Sequence, residues 1–255
     1  MKKFTKILFS PAATVVTFLL AAGLLLFGSI NGARAALTYF SETYASQVQM
    51  YDIGVTLQEN GEKISWRDYS GEADGVWNEN TGALVQNMLA EGESLQVGKT
   101  YKEELNVLNS GTIDQYVRVS VYKYWVDEDD NKLQNLSPAL IDLHFTNLGT
   151  DWLEDETART DERTVLYYNK LLPKDAETPL FADKLTINGA VAVPTVERLA
   201  DGTVKNVYAY NGAKFIIEAK VDAVQDHNAE DAVLSAWGKQ VTVNSAAGTL
   251  ALKID

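Results

Sequence analysis

Tyr116-Val117-Arg118-Val119-Ser120-Val121-Tyr122-Lys123-Tyr124-Trp125 is the stretch whose reading decides the fold. Val117, Val119 and Val121 fall on one side of an extended chain, and Tyr116, Arg118, Ser120 and Tyr122 on the other. A period of two predicts a strand with one buried face and one wet face. The same alternation recurs outward from it. Ile53, Val55 and Leu57 lead into Asn60-Gly61, a strong short hairpin signal, with Ile64 and Trp66 on the return strand. Leu105 and Val107 precede the turn Asn109-Ser110-Gly111. Ile141, Leu143 and Phe145, then 165–168, then Leu185 and Ile187 continue the pattern, whereas 67–82 reads as a polar loop and 84–89 is ambiguous.

From residue 189 the pattern predicts a β-meander over 189–224. Asp201-Gly202 joins 191–199 to 203–210, and Asn211-Gly212 joins that to 214–224. In the last strand Phe215, Ile217, Ala219, Val221 and Ala223 share a face, with Glu218, Lys220 and Asp222 opposite. One helix is expected near the end. Asn228 is placed to cap it, Glu230 and Asp231 sit in its first turn, Ala229, Ala232, Val233, Ala236 and Trp237 follow helical spacing, and Gly238 closes it. Many short strands with one or two short helices predict an all-β protein, an antiparallel β-sandwich formed by residues 36–255 as a single domain.

Residues 1–35 read differently. Lys2, Lys3 and Lys6 precede an uncharged run from Ile7 to Ala33, and Ala33-Arg34-Ala35-Ala36 follows. A basic start, an apolar stretch and small residues at Ala33 and Ala35 predict a secretory signal peptide cut before Ala36. The alternative is an uncleaved membrane anchor, a hydrophobic helix crossing the bilayer through 7–30. Either way 36–255 lies outside the cytoplasm, secreted or at the cell surface. Of the 255 residues, 22 are Lys or Arg and 35 are Asp or Glu. Residues 1–35 hold four of the basic ones and no acidic one, so the remaining 220 residues carry 18 basic and 35 acidic groups, a net −17. That charge opposes nucleic-acid binding, which needs a basic face. No Cys is present, which excludes disulfides, iron–sulfur sites, zinc ribbons and a thiol nucleophile.

Motifs for catalysis are missing from the sequence. His144 and His227 are the only histidines, and neither begins H-E-x-x-H. There is no G-x-S-x-G elbow and no glycine-rich phosphate loop. No catalytic or cofactor-binding residue is therefore assigned. Asp127, Asp129 and Asn131 have the first three spacings of a calcium loop, but Lys132 and Pro138 stand where glycine and glutamate belong. This leaves an irregular calcium site as the alternative to a solvated turn. Asp151, Glu154, Asp155 and Glu156 around Trp152 form a second acidic cluster with the same two readings. Tyr116, Tyr122, Tyr124 and Trp125 read as sheet packing, with a carbohydrate-stacking platform as the alternative.

Several of these segments together resemble one family. Ala36-Leu37-Thr38-Tyr39-Phe40-Ser41-Glu42 follows the leader directly. Leu105-Asn106-Val107-Leu108-Asn109-Ser110-Gly111-Thr112, Tyr116-Val117-Arg118-Val119, Leu166-Tyr167-Tyr168 and Thr178-Pro179-Leu180-Phe181 come in order behind it. The set is similar to the TasA/camelysin family of exported proteins of Gram-positive bacteria. The resemblance implies a jelly-roll-like sandwich, a leader cut by a SipW-type signal peptidase, and a biofilm-matrix fibre subunit that donates an N-terminal strand to the next subunit. The matching strand here is 36–51, with Leu37, Tyr39, Phe40 and Tyr44 as its anchors. Camelysin-like members carry a metallopeptidase label, which is not carried over because the zinc motif is missing. The expectation is thus an exported, non-enzymatic surface or matrix protein that self-associates. The alternatives are a membrane-anchored binding module and, more weakly, a secreted hydrolase or peptidase. No L-P-x-T-G signal stands near Lys253-Ile254-Asp255, so covalent wall attachment is not expected.

Overall fold

The alternating segments form strands, and each strand's apolar side selects its sheet. In a computed structural model, the described residues are 53–68, 78–80, 84–85, 88–89 and 93–253. They form β1 (Gly54–Glu59), β2 (Glu62–Asp68), β3 (Asn78–Asn80), β4 (Thr100–Asn109), β5 (Gln115–Val126), β6 (Ile141–Phe145), β7 (Trp152–Glu154), β8 (Arg163–Tyr168), β9 (Ala182–Ile187), β10 (Thr195–Arg198), β11 (Val204–Val207), β12 (Lys214–Gln225), β13 (Val241–Asn244) and β14 (Thr249–Leu252). A single α-helix among these residues, α1 (Ala229–Trp237), lies between β12 and β13. One sheet has the order β3-β2-β1-β4-β9-β6 and the other β12-β5-β8-β7; β10-β11 and β13-β14 are separate hairpins, and every strand pair is antiparallel. The leader 1–35 and the segment 36–51 lie outside the described residues.

The two larger sheets share one core. Val55, Leu57, Leu105, Val107, Leu143 and Leu185 come from the six-stranded sheet, and Val117, Val119, Val121, Leu166 and Ile217 from the four-stranded one. Burying each of these side chains contributes about 1.5–3 kcal/mol. Trp152 is fully buried, with its ring against Tyr168 (5.4 Å) and Phe181 (5.5 Å) and its indole N–H donated to the Pro179 carbonyl at 3.1 Å. The Asn60-Gly61 hairpin joins β1 to β2, with φ of 53° and 89° at its two corners, both in the left-handed region that the sharp turn requires.

The second face of β5 corrects the expectation of a wet side. Tyr116 on β5, Val165 and Tyr167 on β8 and Val224 on β12 form a second apolar cluster, roofed by Ala229 and Val233 of α1 and by Val241 and Leu250 of β13-β14. Trp237 meets Tyr167 edge-on at 5.6 Å and lies 5.1 Å from the Arg118 guanidinium. The alternation of β5 is real, but both of its sides find apolar partners, because residues 229–252 fold back over the sheet.

The helix ends follow the sequence in part. Gly238 has φ 68° and returns its N–H to the Leu234 carbonyl, as a left-handed terminal residue does. Asn228 does not cap through its side chain; it is itself left-handed (φ 51°), and its carbonyl takes the Ala232 N–H. Glu230 accepts the Val243 N–H at 2.8 Å, so the first turn is fastened to β13.

The 189–224 segment is not a continuous meander. β10 and β11 pair only with each other, while β12 joins β5 over twelve residue pairs. Two tight turns over 208–213 redirect the chain, and Tyr210 anchors them by packing against Trp125 at 4.9 Å. β12 carries an apolar face that the core can take, whereas the four residues of each hairpin strand mix valines with charges on both sides. Replacing Trp152 by Ala removes the largest fully buried side chain and leaves a cavity beside two aromatic partners. We expect Trp152→Ala to cost about 3–5 kcal/mol, measured by urea unfolding.

Candidate functional site

The charged residues singled out in the sequence are dispersed by the fold. The Asp127 carboxylate closes its own turn. Its Oδ1 accepts the N–H groups of Asp129 (3.0 Å) and Asn131 (2.8 Å), and these bonds, the Asn131 one foremost, hold its carboxyl below the usual range. Asn131 turns its amide nitrogen toward Asp127, so it presents a donor there rather than a ligand oxygen. Asp130 is paired with Lys214 at 2.6 Å. Among the described residues no three acidic or histidine side chains converge in a metal-binding arrangement.

The second acidic cluster separates into individual pairs. Asp151 binds Lys170 (2.6 Å) and Glu154 binds Arg159 (3.2 Å). Asp155 is buried with Lys239 (3.0 Å) and accepts the Thr157 hydroxyl at 2.6 Å. Burial works against the Asp155 charge, but the bonds from Thr157 and Lys239 outweigh it and lower its pKa. This pair ties the β7–β8 connection to the residue that follows the helix terminus. Lys239 was not singled out in the sequence, because nothing local marks a lysine beyond a helix end as buried.

His144 faces out from β6, opposite the core residue Leu143, with Nδ1 2.6 Å from Asp183 Oδ1. His227 is exposed just before α1. The four aromatics around β5 do not form a platform. Trp125 is in the core against Tyr210 and Phe215, Tyr116 is in the second cluster on the other face, and the Tyr124 hydroxyl donates to Glu218 at 2.7 Å.

What stands out is a sheet edge. The two larger sheets end in four strands, of which β3, β6 and β7 have only three, five and three residues. Short edge strands limit unwanted pairing. The fourth, β12, has twelve residues, all paired to β5 on one side and unpaired on the other among the described residues. Its core-facing residues Phe215, Ala219, Val221 and Ala223 are only partly covered. A second exposed feature is the β10-β11 hairpin, where Val193, Val196, Leu199, Val204 and Tyr208 all face solvent.

The predicted cleavage residues Ala33, Ala35 and Ala36 and the predicted assembly residues Leu37, Tyr39, Phe40 and Tyr44 lie outside the described residues. No protein-family model matches the chain, and no curated protein and no solved structure does so either. Among the described residues no helix is long and apolar enough to cross a membrane.

The buried ion pair supplies a direct test of this part of the structure. Removing one partner strands the other in a low-dielectric site. Lys239→Ala is expected to lower stability by about 3–5 kcal/mol, while the double variant Asp155→Asn/Lys239→Met loses much less, as measured by denaturant unfolding of the three chains.

Proposed function

We propose that the chain is an exported, non-enzymatic structural protein of the cell surface or extracellular matrix. In this reading its subunits have a jelly-roll-like sandwich of the TasA/camelysin type and assemble by N-terminal strand addition. The observation that carries the reading is the outer edge of β12, twelve residues long and unpaired among the described residues, with a half-covered apolar row beneath it. An extended segment laid on such an edge satisfies the backbone groups of both partners and fills the gaps between alternate side chains. Residues 36–51 have sufficient length, at about 3.3 Å per residue, and include Leu37, Tyr39, Phe40, Tyr44, Val48, Met50 and Tyr51. In the sequence they precede β1, which packs against β12.

Added to the neighbour's edge, the strand makes a head-to-tail contact that does not close, so a filament grows. Added to its own edge, it completes a monomer. The leader, with Ala33 and Ala35 as the small residues before the cut, supports export through a SipW-type peptidase. A membrane-anchored binding module is the second reading. It is favoured by the solvent-facing valines of β10-β11, which offer an apolar contact surface.

Electron microscopy of the purified mature chain tests the assembly. Filaments are expected once salt, divalent cations or acid screen or neutralise the net charge of −17 over residues 36–255. Deleting 36–46 is expected to leave a folded monomer and no filaments. A wild-type chain that stays monomeric under all three conditions, or a deletion that only unfolds the domain, refutes strand exchange. Processing has its own test. N-terminal sequencing of the exported chain is expected to read from Ala36, and Ala35→Leu to block the cut; an intact Met1 or Lys2 favours the anchor.

A further inference from the structure

Two acidic side chains point into the sandwich where an apolar pair would be expected. Glu59 extends the inward row Val55, Leu57 on β1 and stands opposite the core residue Leu105. Glu103 precedes Leu105 and Val107 on the same face of β4, at an irregularity in the β4–β9 ladder. Glu59 is 1% and Glu103 0% exposed. Glu59 Oε1 accepts the N–H of Val85 at 2.5 Å. Val85 is β-branched and has φ 62°, a conformation such residues avoid, so this bond holds a strained turn against the sandwich. Glu59 Oε2 and both Glu103 oxygens have no donor among the described residues.

Among the described residues the charged groups nearby are engaged elsewhere or exposed to solvent. Lys102 and Glu104 pair with each other at 2.9 Å on the opposite face of β4. Tyr101, on the same face as Glu103, accepts the Gln96 N–H at its hydroxyl oxygen (2.7 Å). Glu62 and Lys63 of β2 are exposed, and Asp183 and Lys184 of β9 pair with each other at 3.1 Å. From β12 the core receives Phe215 and Ile217; Lys123, the cation on the inner face of β5, donates to the Ile141 carbonyl at 2.7 Å. Two ionised carboxylates buried side by side without a cation are not tenable, whereas one proton makes Glu103 the donor that Glu59 Oε2 lacks.

We propose that Glu59 and Glu103 form a proton-binding latch: one proton held between them keeps the Glu59 carboxylate in place on the Val85 N–H, and loss of that proton in alkali releases the 84–85 turn. Burial, then the hydrogen bond to Glu59 and its charge, push the Glu103 carboxyl up to about 9. In the unfolded chain the group has its ordinary value of 4.5. Between those two values the folded chain holds a proton that the unfolded chain has lost, so stability falls as pH rises through this window. The direction is opposite to that of the salt-bridged Asp155, whose contribution is lost in acid.

The experiment follows the thermal midpoint and the exchange protection of the Val85 amide, from about pH 5 to about pH 9, in the purified wild type and in Glu103→Gln. Gln imitates the protonated acid and cannot ionise. The wild type is expected to lose midpoint and Val85 protection steadily with rising pH. The variant is expected to show neither trend and to exceed the wild type at the alkaline end. A wild type with no such slope, or a variant that keeps it, overturns the latch. Should the variant fail to fold, the infrared carbonyl band of a buried protonated carboxylic acid decides the matter in the wild type. Its presence at neutral pH and loss in alkali support the proposal, and its absence at neutral pH overturns it. Calcium chloride is added as a control. A saturable rise in midpoint that Glu103→Gln abolishes overturns the proton in favour of a metal ion.

Discussion

Strand β5 has to satisfy two layers at once, and this requirement organises the rest of the chain. Its valines at 117, 119 and 121 close the sandwich core, while Tyr116 belongs to a second apolar cluster on the opposite side. It is hydrogen-bonded to β12 along one edge and to β8 along the other. On the outer face of β5, Arg118 is held by two contacts. It binds Asp222 on β12 at 2.7 Å and stacks on Trp237 of α1. The helix and β13-β14 are thus needed to keep water from the outer face of β5.

Much of this was legible in the sequence, because strand formation in an antiparallel sandwich is governed by period-two alternation. Val117 to Val121, Leu143, Leu185 and the Asn60-Gly61 turn are all placed by local pattern alone. The roof over β5 was not legible. A tyrosine at 116 and a serine at 120 are compatible with either water or a covering layer, and only the return of the C-terminal segment decides between them. The failed meander has a similar cause. A turn signal such as Asn211-Gly212 specifies that the chain reverses, but not whether the segments before and after it pair. Here the apolar face of β12 pairs with β5 instead, and the preceding hairpin is left with itself.

The polar constellations were readable as residue types but not as partners. Asp151, Glu154 and Asp155 lie close in sequence, yet each takes a different basic group, at 170, 159 and 239. Sequence proximity of like charges therefore does not by itself make a common ligand geometry, which needs side chains converging in space. The buried acids had a signal that parity reasoning contains. Val55-Thr56-Leu57-Gln58-Glu59 and Glu103-Glu104-Leu105-Asn106-Val107 each put a glutamate on the apolar row. Continuing the alternation by one step on each strand predicts both as inward. Composition-based reasoning resists that step, because glutamate is rarely fully buried unless paired.

Side-chain size gives the β12 edge its particular shape. Along its inward row Phe215, Ile217 and Val221 alternate with the small residues Ala219 and Ala223. Alanine leaves shallow gaps beside its larger neighbours, and in a close-packed interior such gaps are filled or their lining loses dispersion contacts. The outward row of the same strand carries Glu218, Lys220 and Asp222, with Lys220 and Arg118 both reaching Asp222. Charges of this kind discourage a flat, unspecific pairing of edges. The edge is therefore asymmetric in cross-section, apolar and gapped on its inner side and charged with both signs on its outer side. Residues 36–51 fit those terms in composition, with Tyr39, Phe40 and Tyr44 for the gaps and Glu42 as the single charge. Among the described residues this edge has no second partner strand, and its row of large and small apolar side chains stays only partly covered.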